Sequence, residues 1–279
     1  MVKIGIFGSN SFLIHNIKNM LTKKHAVKLI GRKNFDIKSS YSKQNIEKII
    51  KNNNFDIIIN AIGYTNIEKN EKYPLRANKV NVKITKYICN AITLSKKNIF
   101  FIHFSSDHLY SKKNESKEDS VQILNHYAKT KFESEKYAKK INSIILRTNF
   151  FGYSNHPKKL SFSDWIIDNL KNNRKINLYK DIYFSPLHFS TIGKVLLLII
   201  RKKNSGIFNL GSKKGLSKYE FALEIAKIKN FDLNLIKPVN YNEKLNVIRP
   251  KDMRMNCKYF ERSFNFKLPT LKNEIRKIK

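Results

Sequence analysis

Short apolar runs of strand length alternate with longer amphipathic stretches through most of this 279-residue chain. That alternation is the strongest constraint on the fold: strands separated by helices build a mainly parallel sheet with crossover helices on its faces. The strand candidates are KIGIF (3–7), VKLIG (27–31), DIIINAIG (56–63), NIFFIHFSS (98–106), SIILR (143–147) and GIFNLG (206–211). Helices are expected over residues 12–22, 44–52, 75–95, 127–140, 164–172, 191–201 and 218–227. The last opens with a capping box, Ser217 followed three later by Glu220.

From about Phe150 the alternation loosens, and His156-Pro157, Ser185-Pro186 and Arg249-Pro250 mark turns. We therefore expect residues 1–149 to form a nucleotide-type domain. Residues 150–279 should be mainly a substrate-binding lobe, with the 206–211 strand returning to the first sheet.

Charge raises a different class of function. Lys and Arg number 55 against 21 Asp and Glu, a net +34 that would normally suggest nucleic acid or an anionic membrane. The lysines are spread over the whole chain, however, which fits general residue usage better than a selected patch, so nucleic acid is not expected as a partner. The longest apolar run, VLLLII (195–200), is far shorter than the roughly 20 residues of a membrane span. No secretory leader is visible, and Cys89 and Cys257 form no disulfide or metal motif. The expectation is a soluble, cytoplasmic protein. No metal site is expected, since the seven histidines do not cluster at ligand spacing.

The chemistry-bearing residues begin with GIFGSNSFLI (5–14), which looks like a dinucleotide-binding turn that has lost glycines. Further along, NHYAKTKFESEK places Tyr127 and Lys131 four apart on an expected helix, hence on one face. A phenol near pKa 10 needs a neighbouring cation to work at neutral pH, and Lys131 can provide one. FSSDH (104–108) sets hydroxyls at the carboxyl end of a strand, the edge where open α/β sheets bind ligands.

The order of these elements resembles the extended short-chain dehydrogenases/reductases, and within them the dTDP-4-dehydrorhamnose reductase type. That family's Ser-Thr-Asp-Tyr-Val-Phe stretch corresponds to Ser105, Ser106, Asp107, His108, Leu109 and Tyr110. Its Asn-x-Tyr-Gly-Lys-x-Lys segment corresponds to Asn125, Tyr127, Ala128, Lys129 and Lys131. RTNFFG (147–152) resembles its Arg-Thr segment, and RPKDMRMN (249–256) its Arg-Pro tail.

The resemblance implies a Rossmann-type doubly wound parallel sheet with a smaller C-terminal α/β lobe, and NAD(P)H-dependent reduction of a 4-keto nucleotide sugar. In that role Tyr127 would donate the proton, Lys131 would lower the tyrosine pKa and hold the nicotinamide ribose, and Ser106 would hydrogen-bond the carbonyl oxygen. Cofactor contacts would come from Gly8, Ser9, Asn10, Ser11, Phe12, Leu13, Asn60, Ala61, Ile62 and Gly63. Arg32, a basic residue after the second strand, favours a 2′-phosphate and thus NADPH, with NADH as the alternative donor. Substrate contacts would be Ser106, Asp107, Asn149, Phe150, Phe151, Pro186 and Arg249, and a homodimer is compatible with the family.

Two departures stand out. The family glycines of the turn fall on Gly8, Ser11 and Ile14, so two of three are replaced. Its Gln-x-Gly-x-Pro-Thr region corresponds to residues 182–187, where only Pro186 is retained. Two other readings therefore stay open: an epimerase or dehydratase of the same superfamily, and a non-catalytic nucleotide-binding regulatory subunit on the same fold.

Overall fold

The computed structural model describes residues 1–31, 34–36, 39, 42–154, 156, 160–242 and 247–278. Its centre is a sheet of six parallel strands: β1 (Lys3–Phe7), β2 (Ala26–Ile30), β3 (Ile57–Asn60), β4 (Phe100–Phe104), β5 (Ser143–Thr148) and, after several further elements, β10 (Gly206–Leu210). The spatial order is β10-β5-β4-β3-β1-β2. From β1 the chain winds outward to β2, then crosses back to β3 on the other side. That reversal puts a crevice at the carboxyl ends of β1 and β3, where ligands bind in doubly wound sheets.

Alternation along the strands sorts side chains to two faces. Ile4, Ile6, Ile57, Ile59, Phe100 and Ile102 pack with Leu13, Ile14, Ile17 and Leu21 of α1 (Phe12–Thr22), against α8 (Phe189–Lys202). Phe7, Ile58, Phe101 and Ile145 face the other way, onto α2 (Ser42–Lys51) and α5 (Ile84–Leu94).

Between β3 and α5 lie two short helices, α3 (Ile67–Lys72) and α4 (Pro74–Ala77), and a π-helical segment at Asn78–Lys83. The single helix expected over 75–95 is therefore interrupted. The cause is Asn81, whose Oδ1 accepts from the Tyr64 amide at 2.7 Å and whose Nδ2 donates to Thr130 Oγ1 at 2.9 Å. A side chain drawn out of register in this way widens the helical turn.

Helix α6 (His126–Ala138) precedes β5, and the chain then builds the lobe: β6 (Phe150–Phe151), α7 (Phe162–Lys171), β7 (Ile176–Tyr179), β8 (Tyr183–Phe184) and β9 (Leu187–His188). After α8 and β10 follow β11 (Leu216–Ser217), α9 (Lys218–Lys229), β12 (Ile236–Val239), β13 (Asp252–Met253), α10 (Lys258–Phe264) and α11 (Leu271–Ile275). The capping box at Ser217 and Glu220 is formed, and a second at Ser161 and Asp164 starts α7. The lobe has its own core of Phe151, Ile166, Ile182, Phe184 and Phe221.

Candidate active site

Two clefts meet at the switch point. The first, of about 690 Å³, runs from the end of β2 (Ile30, Gly31, Phe35, Asp36) across Gly8–Ser11 to Ala61–Tyr64, and is walled by Leu75, Arg76, Lys79 and Val80. The second, of about 510 Å³, shares Ser11, Ala61, Ile62 and Gly63 with it. It continues past Phe12 and Leu13 to Ser105–His108, Tyr127, Lys131, Asn149 and Phe150.

The first cleft fits a dinucleotide. Gly8 has φ +97°, and a Cβ there would stand 2.9 Å from the Ala61 carbonyl. Only a residue without a side chain lets the β1 turn lie that close to the β3 exit. Ser11 caps α1 by accepting from the Ile14 amide at 3.2 Å, and the first turn of α1 has no acidic residue to repel a phosphate. Ile14, where the family has glycine, points into the core and is fully buried. Arg32 lies outside the described residues. The cations that do line the cleft, Arg76 and Lys79, were not singled out from sequence, where one more Arg and Lys carry no signal.

In the second cleft each polar residue is set by an element end. Ser106 caps the short turn Asp107–Leu109, accepting from the His108 amide at 3.1 Å. Asn125 caps α6, accepting from Ala128 at 2.8 Å, and so fixes Tyr127 and Lys131 in the first turns of that helix. Tyr127, Lys131 and Ser106 are all buried. The Lys131 ammonium donates to the Phe104 carbonyl at 2.6 Å, tying the helix to the end of β4.

Burial draws the Lys131 pKa down to about 8, with Glu135 opposing. The Tyr127 phenol goes the other way from the expected depression: burial pushes it up to about 12, Ser106 favours the phenolate and Asp107 disfavours it. The Lys131 ammonium is directed to the Phe104 carbonyl. At neutral pH Tyr127 therefore carries its proton, the state a proton donor needs.

Asp107 is pushed up to about 6 by burial, opposed by the Asn149 amide at 2.8 Å, by the charge of Lys218 and by Ser106. His108 meets the Tyr127 ring edge-on at 5.4 Å between centroids. Burial lowers its pKa to about 3, helped by Lys218 and Arg249. It is neutral, and its Nδ1 is buried without a hydrogen-bond partner among the described residues. Beneath the cleft Arg147 and Glu135 form a buried bidentate pair at 2.7 and 2.9 Å, with Ser105 donating to the same carboxylate at 2.6 Å.

The remaining residues anticipated for substrate divide. Phe150 lines the second cleft and stacks near Phe12, centroids 6.5 Å apart. Phe151, one step along the strand, faces the opposite way and is 1% exposed in the lobe core, edge-on to Phe221 at 5.0 Å. It is a packing residue, not a substrate contact. Pro186 is likewise buried and lines neither cleft. Arg249 pairs with Glu68, and its charge acts on His108 and Lys218. Asn60 is buried behind the cofactor turn, its Oδ1 accepting from the Ile62 amide at 3.1 Å and its Nδ2 donating to Thr85 Oγ1 at 3.0 Å. Among the described residues no group of three His, Cys, Asp or Glu could hold a metal, and no helix is long and apolar enough to cross a membrane.

Known proteins resemble this chain in sequence and in fold. The chain is 30% identical to the dTDP-4-dehydrorhamnose reductase of Aggregatibacter actinomycetemcomitans over 61% of this chain and 60% of that protein. It is 24% identical to methionine adenosyltransferase 2 subunit beta of Rattus norvegicus over 58% of this chain and 52% of that protein. These matches span little more than half the length of either relative. In structure it superposes with a TM-score of 0.89 on the dTDP-4-dehydrorhamnose reductase of Bacillus anthracis, solved in complex with NADP. That superposition covers 99% of this chain and 98% of that one at 19% identity, so it bears on the fold alone. The model of the family described as the RmlD substrate binding domain matches residues 2–278, and the chain belongs to that family.

Proposed function

We propose that this protein is an NADPH-dependent reductase of a 4-keto nucleotide sugar, acting in deoxysugar synthesis. The observation that carries the reading is the convergence of Ser106, Tyr127 and Lys131 on a cleft that opens into the dinucleotide groove. Bound NADPH would supply the hydride, and the protein would supply position and electrostatics. Ser106 Oγ orients the substrate carbonyl beside Tyr127. The Tyr127 hydroxyl gives its proton to the carbonyl oxygen as negative charge develops there. Lys131, charged below about pH 8, stabilises the phenolate left behind.

Gly8–Leu13 and Asn60–Gly63 hold the dinucleotide in this reading. Arg76 and Lys79 are the cations placed to favour the 2′-phosphate, in addition to Arg32. The cofactor half is residues 1–149 with β10, and the rest is the substrate half. The enzyme acts in the cytoplasm as a monomer or homodimer, which light scattering would distinguish.

Titration with NADPH and NADH, then cofactor oxidation over a panel of 4-keto nucleotide sugars, tests the proposal. Tyr127→Phe should bind NADPH within twofold of the parent and lose about 10²- to 10⁴-fold in kcat, the usual range for a general acid. Parent protein without turnover on any of these sugars sinks the reading. Nucleotide binding without turnover would favour a non-catalytic subunit; one relative is named as a subunit, methionine adenosyltransferase 2 subunit beta.

A further inference from the structure

His103 stands one residue before the end of β4, fully buried, on the face of the sheet that also carries Phe101. In register beside it is Asn60, the last residue of β3. A strand as apolar as β4 packs without a polar side chain, and a buried imidazole is tolerated where its ring nitrogens are matched. Here both find partners: Nδ1 lies 3.3 Å from Asn60 Nδ2, and Nε2 lies 2.9 Å from Ser134 Oγ.

Those partners fix every proton. Asn60 Nδ2 has only hydrogens to offer, so His103 Nδ1 accepts; the other hydrogen of that amide goes to Thr85 Oγ1 at 3.0 Å. Ser134 gives its hydrogen to the Lys131 carbonyl at 2.6 Å, so its oxygen accepts from His103 Nε2–H. His103 is therefore the neutral Nε2–H tautomer. Burial, with the charge of Lys131 adding to it, holds its pKa well below the ordinary value. Asn60 Oδ1 in turn accepts from the Ile62 amide at 3.1 Å. One chain of hydrogen bonds, each donating in the same direction, thus runs from Ile62 through Asn60, His103 and Ser134 to Lys131. It starts in the Ala61–Gly63 turn that lines both clefts, and it ends on the backbone of the residue whose side chain lines the second.

We propose that His103 is a positioning residue: it lines neither cleft, and it locks the dinucleotide turn after β3 to the part of α6 that carries Lys131. The inference rests on the reductase reading above, in which cofactor and Lys131 must meet in one geometry. A misplacement of about 1 Å between reacting groups can cost about 10²-fold in rate, so a rigid link between turn and helix acts on kcat as well as on cofactor affinity. An apolar side chain at this position would fill the space but leave Asn60 with a hydrogen, and Ser134 with a lone pair, unmatched.

The test compares the parent with His103→Phe, His103→Gln and Ser134→Ala at a temperature where each is folded by circular dichroism. NADPH affinity is read by titration, and kcat and KM by cofactor oxidation on a 4-keto nucleotide sugar. Phenylalanine keeps a ring and removes both nitrogens, whereas glutamine restores one acceptor and one donor. His103→Phe should bind NADPH about tenfold more weakly and lose about tenfold or more in kcat, with the sugar KM within about twofold. His103→Gln should recover both constants to within about threefold of the parent. Ser134→Ala cuts only the link to Lys131, so kcat should fall while NADPH affinity stays within about twofold. A role in packing alone would lower Tm and leave the constants of the folded variants unchanged. His103→Phe with parental NADPH affinity and kcat would therefore overturn the inference, as would a glutamine variant no better than phenylalanine. If His103→Phe does not fold, a glutamine variant more than about tenfold weaker for NADPH overturns it, and near-parental affinity there supports it. A parent without turnover removes the reductase reading, and the NADPH affinities of the two His103 variants then decide the link between turn and helix.

Discussion

Asp107 shows at the scale of one residue how the site trades stability for function. It is 1% exposed, and its pKa is raised from 3.8 to about 6. A raised acid means that, between about pH 4 and pH 6, the folded chain holds a proton the unfolded chain has released. Stability must therefore fall as pH rises through that window, and the ionised carboxylate remains a cost above it, of the order of 2 kcal/mol. Asp107→Asn keeps the shape and removes the charge. At pH 7.5 it should melt roughly 4 °C above the parent, and at pH 4 the two should coincide. Scanning calorimetry at the two pH values reads this directly; an equal Tm at pH 7.5 would show that the ionised carboxylate carries no net cost in the folded chain.

At the scale of elements, α1 shows what replaced the missing glycine of the dinucleotide turn. Ile14 does not push the helix off the sheet; it joins Leu13, Ile17 and Leu21 in the core shared with α8. The close approach has moved to Gly193 on α8, where a Cβ would stand 2.5 Å from Met20 Sδ. Restoring the family glycine should therefore harm this chain: Ile14→Gly opens a core cavity and weakens a helix, together about 3–6 kcal/mol by denaturant unfolding. A loss under 1 kcal/mol would mean that the helix settles onto the sheet once the side chain is gone. The strands were legible because strands buried on both faces need unbroken runs of Ile and Phe; the Tyr127–Lys131 spacing was weak by itself in so lysine-rich a chain, and it was the resemblance of the motifs that drew Ser106, Tyr127 and Lys131 together, residues that line one cleft. The break at Asn78–Lys83 was not legible, since it depends on Asn81 reaching Tyr64 and Thr130, 17 and 49 residues away. Nor could sequence choose between Phe150 and Phe151, where a two-residue strand decides which ring faces the cleft. Arg76 and Lys79 were hidden by the abundance of lysine, and only their place in the wall of the first cleft sets them apart from other surface cations.

At the scale of the whole molecule, the net charge of +34 acts on folding and on ligands with opposite sign. Self-repulsion destabilises the compact state, and salt relieves it as the Debye length shrinks from about 30 Å at 0.01 M to about 8 Å at 0.15 M. The same field draws in anions, both proposed ligands carry phosphates, and Arg76 and Lys79 wall the first cleft. Raising ionic strength over that range should therefore raise Tm while lowering kcat/KM for the nucleotide sugar and weakening NADPH. Charges on the far surface contribute to the first effect as much as charges near the clefts, whereas the second depends on those near the ligands. Lys79→Met should consequently lose part of the salt dependence of NADPH binding while keeping the parent's salt dependence of Tm. A kcat/KM insensitive to salt beside a rising Tm would mean that the excess charge stabilises nothing at the clefts and only burdens the fold.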